Sequence, residues 1–376
     1  MMRRFPFVEI RGGPRERGRQ FGEACRDQVR GYAAALLAVL VGEAELRALP
    51  EGEGAGSGSG DGMALTPEGL YSRALTFLPA FEAFAPHLVE EIRGIADGAG
   101  VSFAAALLVN VRAEVAGVRG GIAGTVGVRG VTEGCTAIGV TSPAAATVLL
   151  GQNQDQAPEM EELGVVLLVR PDEGPAALMA TFGGLVGYPG VNGAGVAFFQ
   201  NALANGVWRH ALPHYPLKRV LLEQSSTEGC LEVFDRAQLA SCGNVLVGDR
   251  SGRLLDVEAT PDGYAVLEAD DGILVHTNHF QSARYAPEER LLESLPDSAV
   301  RLERMRRLLR TDHGGITLET VKRCLRDHDG EATAICRHEP ARPMKTIASI
   351  IAEPEHGRLH VTRGNPCETE YAVYSL

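Results

Sequence analysis

Gly134–Cys135–Thr136 opens an apolar run that continues to Val140, and it places a thiol directly after a glycine-rich segment. A thiol so placed can attack the carbonyl of its own preceding residue. The acyl group then moves from nitrogen to sulfur, and water releases it, cutting the chain between Gly134 and Cys135. Glycine before the cysteine admits the strained backbone that such an attack needs. The freed α-amine has an ordinary pKa of about 8, near enough to neutrality to take the thiol proton. One residue would then supply nucleophile and base. The bland alternative is a free cysteine acting as a small buried hydrophobe.

Four other groups qualify the choice. In GQNQDQ (151–156), a hairpin between the two flanking apolar runs would return Asp155 beside Cys135, where a carboxylate can hold the α-ammonium. The competing reading makes Asn153 and Asp155 turn formers. In VHTNHF (275–280), Asn278 can donate its amide to the oxyanion of a tetrahedral intermediate, an effect of about 3 kcal/mol when such a donor is removed. A turn asparagine is the alternative. His276 and His279 sit on opposite faces of an extended strand with no third ligand in view, so no metal is expected. In AICRHE (334–339), Arg337 can clamp a carboxylate or build a polar wall, and Cys336 is read as packing inward. Arg112 and Glu114 either buttress the site or are surface charges.

Elements must carry these groups. Residues 5–10 alternate like a strand, and apolar spacing predicts helices over 15–48, 67–97 and 102–117. EGEGAGSGSGDG (51–62) reads as a flexible loop. From Cys135 onward short β-type runs separated by Gly, Pro, Asp and Asn predict a meander of antiparallel strands, interrupted by helices near 216–237, 298–311 and 317–327. The basic run Arg301–Arg310 is interleaved with Leu and Met at helical spacing and reads as a solvated face. Helices followed by a many-stranded antiparallel block predict a layered α+β domain.

A net charge of −12 with no other basic cluster argues against nucleic-acid and anionic-membrane surfaces. Seven scattered cysteines without a CxxC pair suggest neither a disulfide scaffold nor a zinc site. The N-terminal twenty residues lack an apolar core, so no signal peptide is read, and no run is long enough to span a membrane. A cytoplasmic setting is expected.

In this order, GGPRERGRQFGE, GCT, GQNxD, GDRSGRLLDVEATP, HTNHF, AICRH and GNPCETEY make the chain resemble the C45 peptidase family of isopenicillin-N acyltransferase-like proteins, in the N-terminal nucleophile hydrolase superfamily. The resemblance implies a four-layer αββα fold in one domain, 1–376. Self-cleavage would leave an α chain, 1–134, and a β chain, 135–376, that stay associated. It implies Cys135 as nucleophile, Asp155 near its amine, Asn278 as oxyanion donor and Arg337 as the family arginine. Gln152, Asn153, Thr136 and Glu114 would support them. Related cholylglycine hydrolases carry arginine where Gln152 stands. The relatives' aromatic residues near GQNxD are absent here, where Gln154 and Gln156 stand. The expected activity is cleavage or transfer of an acyl group, from an N-acyl amide or a thioester such as acyl-CoA, with no cofactor. An uncleaved, non-catalytic binding protein of the same fold is the alternative, and self-association is left open.

Overall fold

The computed structural model describes residues 3–47, 66–120, 134–338 and 344–376. The expected loop at 51–62, most of the glycine-rich stretch before Gly134, and Glu339 of AICRHE lie outside these residues. Strand β1 (Phe7–Gly12) is followed by helices α1 (Pro14–Ala24), α2 (Arg26–Arg47), α3 (Pro67–Thr76), α4 (Leu78–Phe84), α5 (Pro86–Ala99), α6 (Phe103–Asn110) and α7 (Arg112–Gly120). Next come β2 (Gly134–Val140), β3 (Leu149–Gln156), β4 (Gly164–Pro171), β5 (Ala177–Phe182), β6 (Gly190–Asn192) and β7 (Val196–Asn201). Helices α8 (His214–Leu221) and α9 (Thr227–Arg236) precede β8 (Gly243–Asp249), β9 (Leu254–Thr260), β10 (Gly263–Glu268) and β11 (Ile273–His276). The described chain ends with α10 (Asp297–Thr311), α11 (Leu318–Leu325), β12 (Lys345–Glu353), β13 (Arg358–Val361) and β14 (Ala372–Ser375).

Local chemistry sets the helix ends. Thr66 accepts from the Gly69 amide to cap α3, and proline falls in the first turn of α4 and of α5, where a missing N–H costs nothing. Gly100, at φ +67°, closes α5 in the left-handed region that glycine adopts freely. These punctuation marks divide the expected 67–97 helix into three. The expected 15–48 helix likewise breaks at Cys25, and 102–117 at Val111.

Among the described residues the strands form two sheets, ordered β1-β4-β5-β6-β7-β8-β9-β10 and β11-β2-β3-β12-β13-β14. The pairing is antiparallel as expected, except that β1 runs parallel to β4. A parallel neighbour needs a long crossover, and α1 to α7 with β2 and β3 supply it. Three apolar clusters separate four layers. Helices α1, α3, α5, α6 and α9 pack on one face of the larger sheet through Phe21, Ile92, Phe198 and Val247. The sheets face each other through Ala137, Leu150, Leu168 and Phe199. Helices α10 and α11 cover the smaller sheet through Met305, Val321, Ile138 and Ile351. The fold is therefore α+β, layered αββα. No described helix is long and apolar enough to cross a membrane.

Candidate active site

Strand alternation decides which way the candidate side chains face. On β2, Ala137 points between the sheets while Ile138 and Val140 point to the α10–α11 layer. Cys135 shares the parity of Ala137, so its thiol lies between the sheets, and the residue is 6% exposed. β3 pairs with β2 so that Cys135 faces Gln154, Thr136 faces Asn153 and Gly134 faces Asp155. Asn153 and Asp155 therefore lie within a strand, and the turn-former alternative is overturned. The strand begun by the apolar run simply continues through GQNQDQ, where Gln152, Asn153, Asp155 and Gln156 each make a side-chain hydrogen bond to a neighbouring segment.

The backbone of Cys135 is held at both ends. Its N–H donates to Asn278 Oδ1 at 2.9 Å. Its carbonyl accepts from Arg301 Nη1 at 2.7 Å and from Asn201 Nδ2 at 3.1 Å. Arg301 also donates to Thr136 Oγ1 at 2.9 Å and Asn278 Oδ1 at 3.0 Å, so Thr136 and Asn278 are parts of one cradle. Asn278 Nδ2 donates to Ala202 O at 3.3 Å, a long bond that a better acceptor can replace.

Asp155 lies on the opposite face of the strand pair from the thiol. Its Oδ1 accepts from Thr346 Oγ1 at 2.6 Å, and its Oδ2 stands 2.9 Å from Arg337 Nε. Arg337 also pairs with Asp297, which in turn accepts from Arg301 Nε at 2.8 Å. Two carboxylates and two guanidinium groups thus alternate in one fully buried, charge-balanced chain that ends on the Cys135 carbonyl. Burial pushes the Asp155 carboxyl above its usual range, and the Arg337 and Arg301 charges offset this only partly. Burial lowers Arg301, against the pull of Asp155 and Cys135. Gly134 is confined too: a Cβ there would stand 3.3 Å from both Asp155 Oδ2 and Met344 Sδ.

The supporting residues have structural partners. Asn153 Nδ2 donates to Leu325 O at 2.8 Å and Ile335 O at 3.1 Å, tying β3 to α11 and to the segment before Arg337. Gln152 bridges the sheets through the Gln200 backbone. Glu114 is fully buried and accepts from the His214 amide and Ser241 Oγ, both at 3.1 Å. Burial raises its carboxyl from the usual range. Arg112 stacks over Tyr215 at 4.6 Å and Tyr32 at 5.5 Å. The surface-charge reading of this pair is overturned, because both side chains are buried. His276 sits 3.0 Å from Glu258, and His279 Nδ1 is 2.8 Å from Ser298 Oγ, so each ring is engaged in a local hydrogen bond.

The solvated-face reading of Arg301–Arg310 fails at its first member. Arg301 is 0% exposed, although Arg307 and Arg310 are not buried. The i, i+4 pair of Asp297 with Arg301 was visible in the sequence; that it points inward was not. Asp297, Thr346 and Asn201 were likewise missed, because each is an ordinary polar residue without a motif.

The acyl-coenzyme A:6-aminopenicillanic acid acyl-transferase family model matches residues 143–368. A curated relative, the acyl-coenzyme A:6-aminopenicillanic-acid-acyltransferase 40 kDa form of Emericella nidulans, is 30% identical over 298 residues, 77% of this chain and 79% of the relative. The chain belongs to this acyl-transferase family. The matched span takes in Asp155, Asn278, Arg301 and Arg337 and begins just after Cys135. Among solved structures, a mutant conjugated bile acid hydrolase from Clostridium perfringens aligns with TM-score 0.41 and 15% identity over 64% of this chain and 97% of that one. Penicillin V acylase from Agrobacterium tumefaciens aligns with TM-score 0.39 and 11% identity, over 61% of this chain and 82% of that one. Membership of this family places the activity in acyl transfer involving a small-molecule acyl substrate. Likeness at these scores adds nothing to the layers described above.

Proposed function

We propose that this member of the acyl-transferase family matures by cutting itself between Gly134 and Cys135, and then works through an S-acyl-Cys135 intermediate. The observation that carries this reading is the cradle around Cys135, whose N–H and C=O are both fixed by buried side chains. A structural cysteine has no need of it.

In maturation the Cys135 sulfur bonds to the Gly134 carbonyl carbon and the C–N bond breaks, with the thiol proton passing to the departing nitrogen. Water then cleaves the thioester, leaving a Gly134 carboxylate, the Cys135 thiol and a free α-amine. Asn278 Oδ1, already on that nitrogen, would hold one amine hydrogen and turn the lone pair toward the thiol. In turnover the amine takes the thiol proton, sulfur attacks the substrate carbonyl, and the leaving amine or thiol carries the proton away. The oxyanion would take Asn278 Nδ2 from its long bond to Ala202 O. Asp155, one strand position away on the other face, acts through Arg337, Asp297 and Arg301 rather than by touching the thiol.

Gln154 and Gln156 on the face that carries Cys135, and Asn201 on the facing sheet, have Nε2, Oε1 and Oδ1 atoms respectively that are buried without a hydrogen-bond partner. Such groups favour a substrate that offers its own donors and acceptors beside the scissile carbonyl. An N-acyl amide meets that need, with water or an amine resolving the acyl-enzyme; an acyl-CoA thioester is the second donor to assay. The two fragments remain associated, and the setting is cytoplasmic.

Intact-mass measurement tests the reading. The wild type, 40.0 kDa as synthesised, should resolve into two pieces divided before Cys135, and Cys135→Ala should stay whole and turn over neither amides nor thioesters. Division of Cys135→Ala at Gly134 would overturn it.

A further inference from the structure

Next to Arg337 in the chain, residues of types that bind soft metals cluster. Cys336 Sγ and Cys367 Sγ are 3.6 Å apart, and both are free thiols. His338 Nε2 lies 3.1 Å from Cys367 Sγ and 3.8 Å from Cys336 Sγ. A ring nitrogen of His328 joins His338 and Cys367, with one atom from each of the three lying within 4.8 Å of the others. We propose that Cys336, Cys367, His338 and His328 form a zinc(II) site that fixes the backbone carrying Arg337.

The spacing suits that ion. Tetrahedral zinc, with bonds of about 2.3 Å to sulfur and about 2.0 Å to nitrogen, sets its sulfurs about 3.8 Å apart and a sulfur and nitrogen about 3.5 Å apart. The separations among Cys336, Cys367 and His338 fall within a few tenths of an ångström of these, and His328 stands within 4.8 Å of His338 and Cys367. The surroundings suit it as well. His338 Nδ1 lies 3.4 Å from Glu368 Oε1, and His328 Nδ1 lies 3.2 Å from Arg326 O. An acceptor at Nδ1 keeps the proton there and leaves the Nε2 lone pair for the metal, the usual carboxylate or carbonyl support of a ligating histidine. Asn365 Nδ2 points at Cys336 Sγ from 3.4 Å, the kind of donor that stabilises a thiolate. Two thiolates and two neutral imidazoles hold zinc as a closed, structural site with no open position for substrate.

The ring would close over a defined part of the fold. Cys336 flanks Arg337 directly, and Asn365, two residues before Cys367, donates to Arg337 O at 2.5 Å. Zinc would tie the segment 328–338 to the 365–367 turn and hold Arg337 against Asp155. It takes no part in the acyl transfer, and its test needs neither chain cleavage nor activity. Sequence spacing alone gave no hint of the site, because Cys367 lies far along the chain from the other three.

The full chain, purified without chelator and then exposed to excess zinc and desalted, should retain about one zinc by mass spectrometric metal analysis. Cobalt(II) in its place should give intense tetrahedral d–d bands and thiolate-to-cobalt charge transfer. Both signals should persist in Cys135→Ala and disappear in Cys367→Ala and in His338→Ala, two half-exposed positions whose truncation spares the core. Chelation should lower the wild-type Tm and leave that of Cys367→Ala unchanged. The proposal fails if the wild type retains no zinc, if a Cys336–Cys367 disulfide is present instead, or if the cobalt spectrum survives in both variants.

Discussion

At the scale of single residues the cradle makes predictions that separate positioning from chemistry. Arg301 spends its fork on the Cys135 carbonyl, Thr136, Asn278 and Asp297. A lysine keeps the charge that balances the buried carboxylates but cannot reach all four acceptors. Losing one charge-assisted bond costs about 1.5–3 kcal/mol, about tenfold to a hundredfold in a rate that depends on it. Arg301→Lys should therefore fold and cut itself that much more slowly, followed as the disappearance of uncut chain with time. Cutting at the wild-type rate would show that Arg301 does not position Cys135. Asn278 has two roles on its two amide atoms, and Asn278→Asp divides them. The carboxylate still accepts from Cys135 N and gains on Arg301, so chain cutting should continue. The Nδ2 donor is gone, so kcat on an amide substrate should fall by about a hundredfold or more. Equal losses in cutting and turnover would deny the division.

At the scale of elements, helices α1 and α5 approach so closely that glycine is required on both. A Cβ on Gly94 would stand 2.1 Å from Arg15 O, and one on Gly18 1.9 Å from Glu91 O. Beside this contact the buried Arg17 holds Glu91 with two bonds, at 3.1 and 2.9 Å. Gly94→Ala gains helix propensity of up to about 1 kcal/mol but must push two backbones apart, so the net cost should be about 2 kcal/mol or more. A lower urea midpoint with unchanged slope checks it; a neutral or stabilised variant would mean that the helices can part freely. The sequence displayed Gly18 in GGPRERGRQFGE, and Gly94 far from it, without saying what they faced. That contrast runs through the molecule. Strand β2 and the apolar start of β3 were legible because their apolar runs are local, and Cys135 stood out as a candidate because a glycine-rich run precedes it. The helix interruptions at Cys25 and Val111 were not, since the residues there are good core residues and only packing ends the helix. The β1–β4 pairing was hidden for the same reason: an edge strand chooses its partner by what lies beside it, not by its own six residues. Arg301 and the zinc ligands depend on contacts across more than a hundred residues and across about thirty, which no spacing rule reads.

At the scale of the whole molecule, the proposed cut falls between layers without separating them. Strand β1, from before Gly134, pairs with β4 from Phe7↔Val166 to Gly12↔Pro171. Helices from the first third share one apolar cluster with β4, β5, β7, β8 and β9, in which Phe21, Phe81 and Leu107 meet Leu167, Val169 and Phe198. Neither piece can bury its own apolar face, because each supplies a layer to the other. The cut should therefore leave one cooperative unit. The two pieces should elute together on size exclusion and melt in a single urea transition. They should separate only in that transition, where mass spectrometry of the eluted fractions first finds the piece ending at Gly134 alone. Separation in native buffer would mean that the first third folds independently, and would contradict the shared core.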